Sequence, residues 1–192
     1  FWLTLHSRVD FFRWPALAQE VTAATWPEHC EGRSLRCFRS YSLRQGDQLL
    51  ALGRTQWAVL GEKGRLIPFA QSGFPEDFPF VEREGITEAP ARFRDDLLPE
   101  ELVQRHTVRS TDIDMGRHMN NVAYVRLLLD CFPASVLADG KIASMEVHYA
   151  APCLEGEELS VFCRREGGIC RMAVRKPDGK TAVLAAVRFH EK

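Results

Sequence analysis

Two aspartates, a histidine and two asparagines crowd into Asp112-Ile113-Asp114-Met115-Gly116-Arg117-His118-Met119-Asn120-Asn121. The run Val122-Ala123-Tyr124-Val125-Arg126-Leu127-Leu128-Leu129 follows directly and is apolar enough for a buried helix. Asp114 supplies a carboxylate that can act as a base. His118, four residues on, can orient it or carry a proton. The start of a helix adds free backbone N–H groups and the positive end of a dipole, which can hold an anionic oxygen. Gly116 allows either close backbone approach or φ > 0 within the cluster. Acid–base chemistry with a stabilised oxyanion is what this set of groups can perform. Plainer roles stand beside it. Asp114 can simply cap the helix, and His118 can simply bond to Asp114 or to the backbone. Asn120 and Asn121 read as caps or loop stitches, and Asp112 as a strand-end or turn residue.

The elements that must position these groups are mostly strands. Period-2 alternation and β-branched or aromatic content predict strands over 1–12, 19–26, 35–43, 49–60 and 65–69. Gln45-Gly46-Asp47 and Gly61-Glu62-Lys63-Gly64 are the turns among them. Residues 70–100 carry Pro75, Pro79, Pro90 and Pro99 with many acidic residues. They read as a linker over 71–100, between an incomplete N-terminal domain over 1–70 and a C-terminal domain over 101–192. A strand over 104–111 leads into the polar cluster. The helix is expected over 119–137, with Val122, Val125, Leu128/Leu129 and Phe132 on its apolar stripe. Pro133 should kink or break it, and Asp139-Gly140 should end it. Four more strands are expected over 142–149, 158–164, 169–175 and 181–189. Their turns are Leu154-Glu155-Gly156, Glu166-Gly167-Gly168 and Pro177-Asp178-Gly179.

Bulk properties narrow the function classes. The chain has 192 residues, a net charge of −1 and no basic block, so nucleic acid is not an expected partner. No apolar run reaches the ~18 residues of a membrane span. The six cysteines show neither C-x-x-C nor zinc-finger spacing, which predicts reduced, mostly buried thiols, a cytoplasmic protein, and no metal or cofactor. Phe1-Trp2-Leu3-Thr4-Leu5 lies inside a strand-like alternation, without a basic n-region or a small-residue cleavage site.

The second half echoes the first. Phe38 to Leu52 aligns with Cys170 to Leu184, each reading strand, polar turn with Gly and Asp, strand. Trp14-Pro15 followed by Gln19-Glu20-Val21 matches Ala151-Pro152 followed by Glu157-Glu158-Leu159. Two related modules explain this economically, and the first, as given, lacks the strand and helix that open the second; about 40 residues are then expected upstream. A strand, a long helix and four antiparallel strands form the hotdog pattern, a curled sheet around one helix. The expected class is α+β, a tandem (double) hotdog. A homodimer is the assembly that a sheet edge left exposed by a missing segment would admit.

Asp112-Ile113-Asp114-Met115-Gly116-Arg117-His118-Met119-Asn120-Asn121-Val122-Ala123-Tyr124 resembles the D-x-D-x-N-x-H-V-N-N-x-x-Y signature of bacterial and plant acyl-acyl-carrier-protein thioesterases. Glu20 to Pro27 resembles the E-x-x-x-x-T-W-P segment of their first hotdog, and Trp57 lies in a strand similar to their S-x-W-x-x-x-D. Ala143 to Tyr149 with Cys153 resembles the strand after the helix. The resemblance implies a double hotdog that hydrolyses the acyl thioester of acyl-carrier-protein in fatty acid biosynthesis, with Asp114 and His118 as catalytic residues. It also marks two departures. Gly116 stands where the family has a catalytic Asn, and Pro152 where it has a catalytic Glu. The segment around Pro152 is more similar to the Y-x-x-P-x-x-x-G of simple acyl-CoA hotdog thioesterases, which work with one carboxylate near the helix start. An acyl-CoA thioesterase and a non-hydrolytic acyl-binding protein are therefore the alternatives. Cys153 aligns with a family cysteine, but a nucleophile needs a base partner and a low pKa. His148 lies five residues upstream, on the other face of an extended strand, and reads as structural.

Overall fold

The computed structural model describes residues 1–62, 64–138 and 142–190. The chain divides into two compact units, Phe1–Pro90 and Ala91–Lys192.

The first unit is an antiparallel sheet of β1 (Trp2–Phe11), β2 (Thr22–Pro27), β3 (Cys37–Gln45), β4 (Gln48–Leu60) and the short β5 (Leu66–Ile67). Its order is β2-β3-β4-β1, with β5 on β4. Leu50 and Ala58 on β4 are almost fully buried. Among the described residues this unit contains no α-helix. Phe74, Phe78 and Phe80, from the Pro-rich stretch, pack against one another in stacked, tilted and edge-on pairs, and Phe74 also meets Phe69. That part of the expected linker is thus held by aromatic packing rather than by backbone pairing.

The second unit comprises β6 (Leu102–Thr107), α1 (Asn121–Leu129), α2 (Ala134–Ala138), β7 (Ile142–Tyr149), β8 (Glu158–Glu166), β9 (Ile169–Arg175) and β10 (Thr181–Phe189). The order is β7-β10-β9-β8-β6, all antiparallel. The repeat read from sequence reappears as topology: β7-β10-β9-β8 has the same connectivity as β1-β4-β3-β2. The hairpin glycines Gly46 and Gly179 both have positive φ, 55° and 82°, which a tight turn requires and a residue with a side chain resists. Residues 91–98 lie on this sheet. Leu97 packs on Phe162 and Ala173, and Arg175 forks onto Asp95 at 2.5 and 2.9 Å.

The helix differs from expectation in length, and its buried face shares only Leu128 with the expected stripe. It is not one long element over 119–137 but two short ones. Pro133 lacks an N–H and disfavours a helical conformation at Phe132, which ends the helical run ahead of it. The expected stop at Asp139-Gly140 lies outside the described residues. The buried face of α1 is Tyr124, Leu127 and Leu128, whereas Val122 is 57% exposed. The strand before the site also ends sooner, at Thr107, and a 3-10 turn over Ser110–Asp112 replaces its last residues. No helix among the described residues is long and apolar enough to cross a membrane.

Candidate active site

Residues 108–120 form a loop fastened at both ends. At its entry, Val108 is buried, donates its N–H to Glu157 O at 3.0 Å and accepts from Gly156 N–H at 2.9 Å. At its exit, Met119 is 2% exposed and donates to Cys153 O at 2.8 Å, while Asn120 N–H reaches Asp112 O at 2.8 Å. Between these ends the chain doubles back. Ile113 and Met119 form an isolated antiparallel bridge, Asp114 N–H donates to His118 O at 3.1 Å, and Arg117 N–H donates to Asp114 O at 3.0 Å.

This small hairpin puts Asp114 opposite His118. Asp114 Oδ1 lies 3.8 Å from His118 Nδ1, and the two side chains are 33% and 43% exposed. The same oxygen accepts from Gly116 N–H at 2.7 Å. A Cβ at position 116 would lie 2.9 Å from Asp114 Oδ1 and 2.9 Å from His118 Nε2. The value of glycine here is therefore close approach: it leaves the space in which carboxylate and imidazole meet. The positive φ, 61°, belongs to Arg117 instead.

Asn120 is the N-cap of α1. Its Oδ1 accepts from Val122 N–H at 2.7 Å, and its carbonyl accepts from Ala123 and Tyr124 N–H. Capping thus falls to Asn120 and not to Asp114, which is left to the loop and to solvent. Among the described residues, Asn121 N–H is the first-turn donor that no protein acceptor takes, so the oxyanion donors expected at the helix start reduce to this one group.

Two contacts were not foreseen from the sequence. His106 Nε2 on β6 lies 2.8 Å from Asp112 Oδ2, which also accepts from Arg109 N–H at 2.9 Å. Burial pushes the Asp112 carboxyl up, but the bonds from Arg109 and His106 outweigh it and hold the group below the usual aspartate value. Asp112 is a turn residue, as expected, and its charge pins the loop to β6. Second, Tyr124 Oη accepts from Cys153 N–H at 3.1 Å in a buried position. Burial raises the Tyr124 hydroxyl pKa, with the Cys153 side chain adding to it. The signal for this contact was the tyrosine four residues after Asn120, on the face that α1 buries.

Around the departures, Pro152 presents only its carbonyl, which accepts from Lys176 Nζ at 2.7 Å. The nearest carboxylate in sequence beyond Glu155 is Glu157, which is engaged with Lys176 at 3.0 Å and with Leu154 N–H at 3.0 Å. Cys153 is fully buried, and burial raises its thiol pKa. It has no claim to be a nucleophile.

A family model described as the acyl-ACP thioesterase C-terminal domain matches residues 97–191. The chain is 22% identical over 163 residues to an oleoyl-acyl carrier protein thioesterase of Coriandrum sativum, covering 79% of this chain and 44% of that one. It is 22% identical over 207 residues to a palmitoyl-acyl carrier protein thioesterase of Gossypium hirsutum, covering 100% and 50%. The chain thus spans about half the length of these curated relatives. In fold it is similar to an acyl-ACP thioesterase from Bacteroides thetaiotaomicron, with TM-score 0.84, 23% identity and coverage of 98% and 76%. It is also similar to the 12:0-ACP thioesterase from Umbellularia californica, with TM-score 0.79, 17% identity and coverage of 100% and 76%. The fold and the repeat of strand order agree with the match over the unit that carries the Asp114 loop: residues 97–191 belong to the family described as the acyl-ACP thioesterase C-terminal domain.

Proposed function

We propose that the protein hydrolyses the thioester of acyl-acyl-carrier-protein, releases a fatty acid as a step of fatty acid biosynthesis, and does so in the cytoplasm. The observation that carries this reading is the Asp114–His118 pair closed over Gly116, directly ahead of α1, in a unit of this family. The oleoyl- and palmitoyl-specific names of the plant relatives support the substrate class. Six cysteines with neither C-x-x-C nor zinc-finger spacing support the compartment.

In this mechanism the Asp114 carboxylate takes a proton from a water molecule as the water oxygen attacks the thioester carbonyl carbon. The carbonyl oxygen becomes an oxyanion and is held by Asn121 N–H at the positive end of α1. His118 orients Asp114, passes a proton to the departing sulfur as the oxyanion collapses and the C–S bond breaks, and is reprotonated by the proton Asp114 took from water. Gly116 keeps carboxylate and imidazole close enough to share this work. Products are the free acid and the thiol of the carrier.

A second reading, hydrolysis of acyl-CoA, is favoured by Pro152 in place of a second catalytic carboxylate. Thiol release measured side by side on acyl-carrier-protein and acyl-CoA of several chain lengths separates the two. Preference for the carrier-protein thioester is the expected result. Faster hydrolysis of acyl-CoA would transfer the proposal to the second reading, and binding without thiol release would refute both. His118→Ala should slow release about 10²-fold or more, the usual worth of a positioned proton-transfer group.

A further inference from the structure

β8 and β9 bring two thiols together away from the Asp114 loop. Cys163 faces Met172 across the ladder, and Cys170 faces Arg165. Residues 163 and 165 share one face of β8, so Cys163 and Cys170 are diagonal neighbours on the same face. Their sulfurs lie 2.6 Å apart, inside the contact distance of two unbonded sulfurs. Cys163 is half-buried and Cys170 is 1% exposed. We propose that Cys163 and Cys170 are a dithiol that hydrogen peroxide oxidises to an intrachain disulfide, with Cys163 attacking and Cys170 resolving. This inference is independent of the hydrolytic reading.

The asymmetry of the pair assigns the roles. The hydrogen bond from Cys170 holds the Cys163 thiol below its ordinary value, against burial, and the Arg165 guanidinium adds to the lowering. That same bond, with burial, holds Cys170 protonated. The more exposed sulfur is therefore also the better nucleophile. Its thiolate attacks one peroxide oxygen: an S–O bond forms, the O–O bond breaks, and hydroxide leaves to become water. Cys170 then gives up its proton and attacks the Cys163 sulfur. The S–S bond forms, the S–O bond breaks, and a second water leaves. The two thiols lose two electrons and the peroxide gains them. Cys131, a third thiol in the same unit, is engaged otherwise. Its sulfur accepts from Gln104 Nε2 at 3.7 Å and faces Leu127 O at 3.8 Å, and burial pushes its pKa up to about 12.

The test is thiol counting and peptide mapping on the full chain before and after hydrogen peroxide. The count in the denatured chain should fall by two from six, return with dithiothreitol, and map to a Cys163–Cys170 cross-link. Cys170→Ser should instead accumulate a sulfenic acid on Cys163 that dimedone labels, and Cys163→Ser should keep its remaining thiols. A wild-type chain retaining all six thiols at a peroxide dose that oxidises glutathione would overturn the proposal. So would a cross-link from Cys163 to Cys131. The wild-type map decides the matter even where a variant fails to fold.

Discussion

At the scale of the residue, Gly116 changes meaning between sequence and structure. Against the family signature it is a loss, since a catalytic Asn is expected there. In the structure it is the absence of a side chain that lets Asp114 and His118 meet, because a Cβ would stand 2.9 Å from both. Gly116→Ala should therefore lower kcat/KM about 10- to 100-fold, the order that a displacement of about 1 Å at reacting groups costs. Melting temperature should hardly move, since position 116 is exposed. Wild-type hydrolysis by the Ala variant would show that the pair does not need this space. Tyr124 makes a different kind of prediction. Tyr124→Phe removes the acceptor of a buried N–H from Cys153, and an unsatisfied buried donor costs about 1–3 kcal/mol. Urea denaturation checks this. An unchanged midpoint would mean that the segment after β7 does not depend on the bond.

At the scale of the element, α1 shows where sequence patterning runs out. Apolar residues fall at 122, 125, 128/129 and 132, the expected stripe, and also at 124, 127, 128 and 131, so two stripes that share Leu128 compete at helical spacing. The structure buries Tyr124, Leu127 and Leu128 and leaves Cys131 and Phe132 half-buried. Leu128→Ala should cost about 2–5 kcal/mol, as for a truncated core leucine, whereas Val122→Ala should stay within about 0.5 kcal/mol. Equal costs in chemical denaturation would contradict the assignment of the face. The strands were more legible. Period-2 alternation and the Gly-containing turns located β1 to β10 to within a few residues, because each turn needs a particular backbone and each strand a particular alternation. The helix break at Pro133 was legible for the same reason, since proline acts locally. What the sequence withheld was cross-strand register. The Asp95–Arg175 fork joins residues 80 apart, and the His106–Asp112 contact depends on how far β6 runs before it gives way to the 3-10 turn. At the site, Asp114, His118 and the Asn120 cap were legible as a motif. The hairpin that makes Asp114 and His118 face each other was not.

At the scale of the whole molecule, the acidic side chains that tie loops to the second unit's sheet make its stability pH-dependent. Hydrogen bonds from Arg175, assisted by Thr181, hold the Asp95 carboxyl below its ordinary value of 3.8, against burial. Asp112 is likewise held low, its bonds to Arg109 and His106 outweighing burial. A carboxyl with a depressed folded-state pKa stabilises fully above its unfolded pKa and loses that contribution as pH falls through the folded one. Melting temperature should therefore drop as pH falls below about 3.8, and Asp95→Asn should lower the plateau at neutral pH and flatten that fall. A wild-type profile flat from pH 6 to the acid limit would contradict this account. The shared strand order of the two units, β2-β3-β4-β1 and β8-β9-β10-β7, shows that one plan was used twice. Among the described residues, the loop that pairs Asp114 with His118 ahead of an α-helix lies in the second unit.

Asp114 is proposed as the base of a thioester hydrolase. The most direct measurement is single-turnover thiol release from acyl-acyl-carrier-protein by wild type and Asp114→Ala, with circular dichroism on both. The expected result is a folded variant whose release is slower by about 10²- to 10⁴-fold, the range of a positioned general base. A folded Asp114→Ala that releases thiol at a near-normal rate would contradict it.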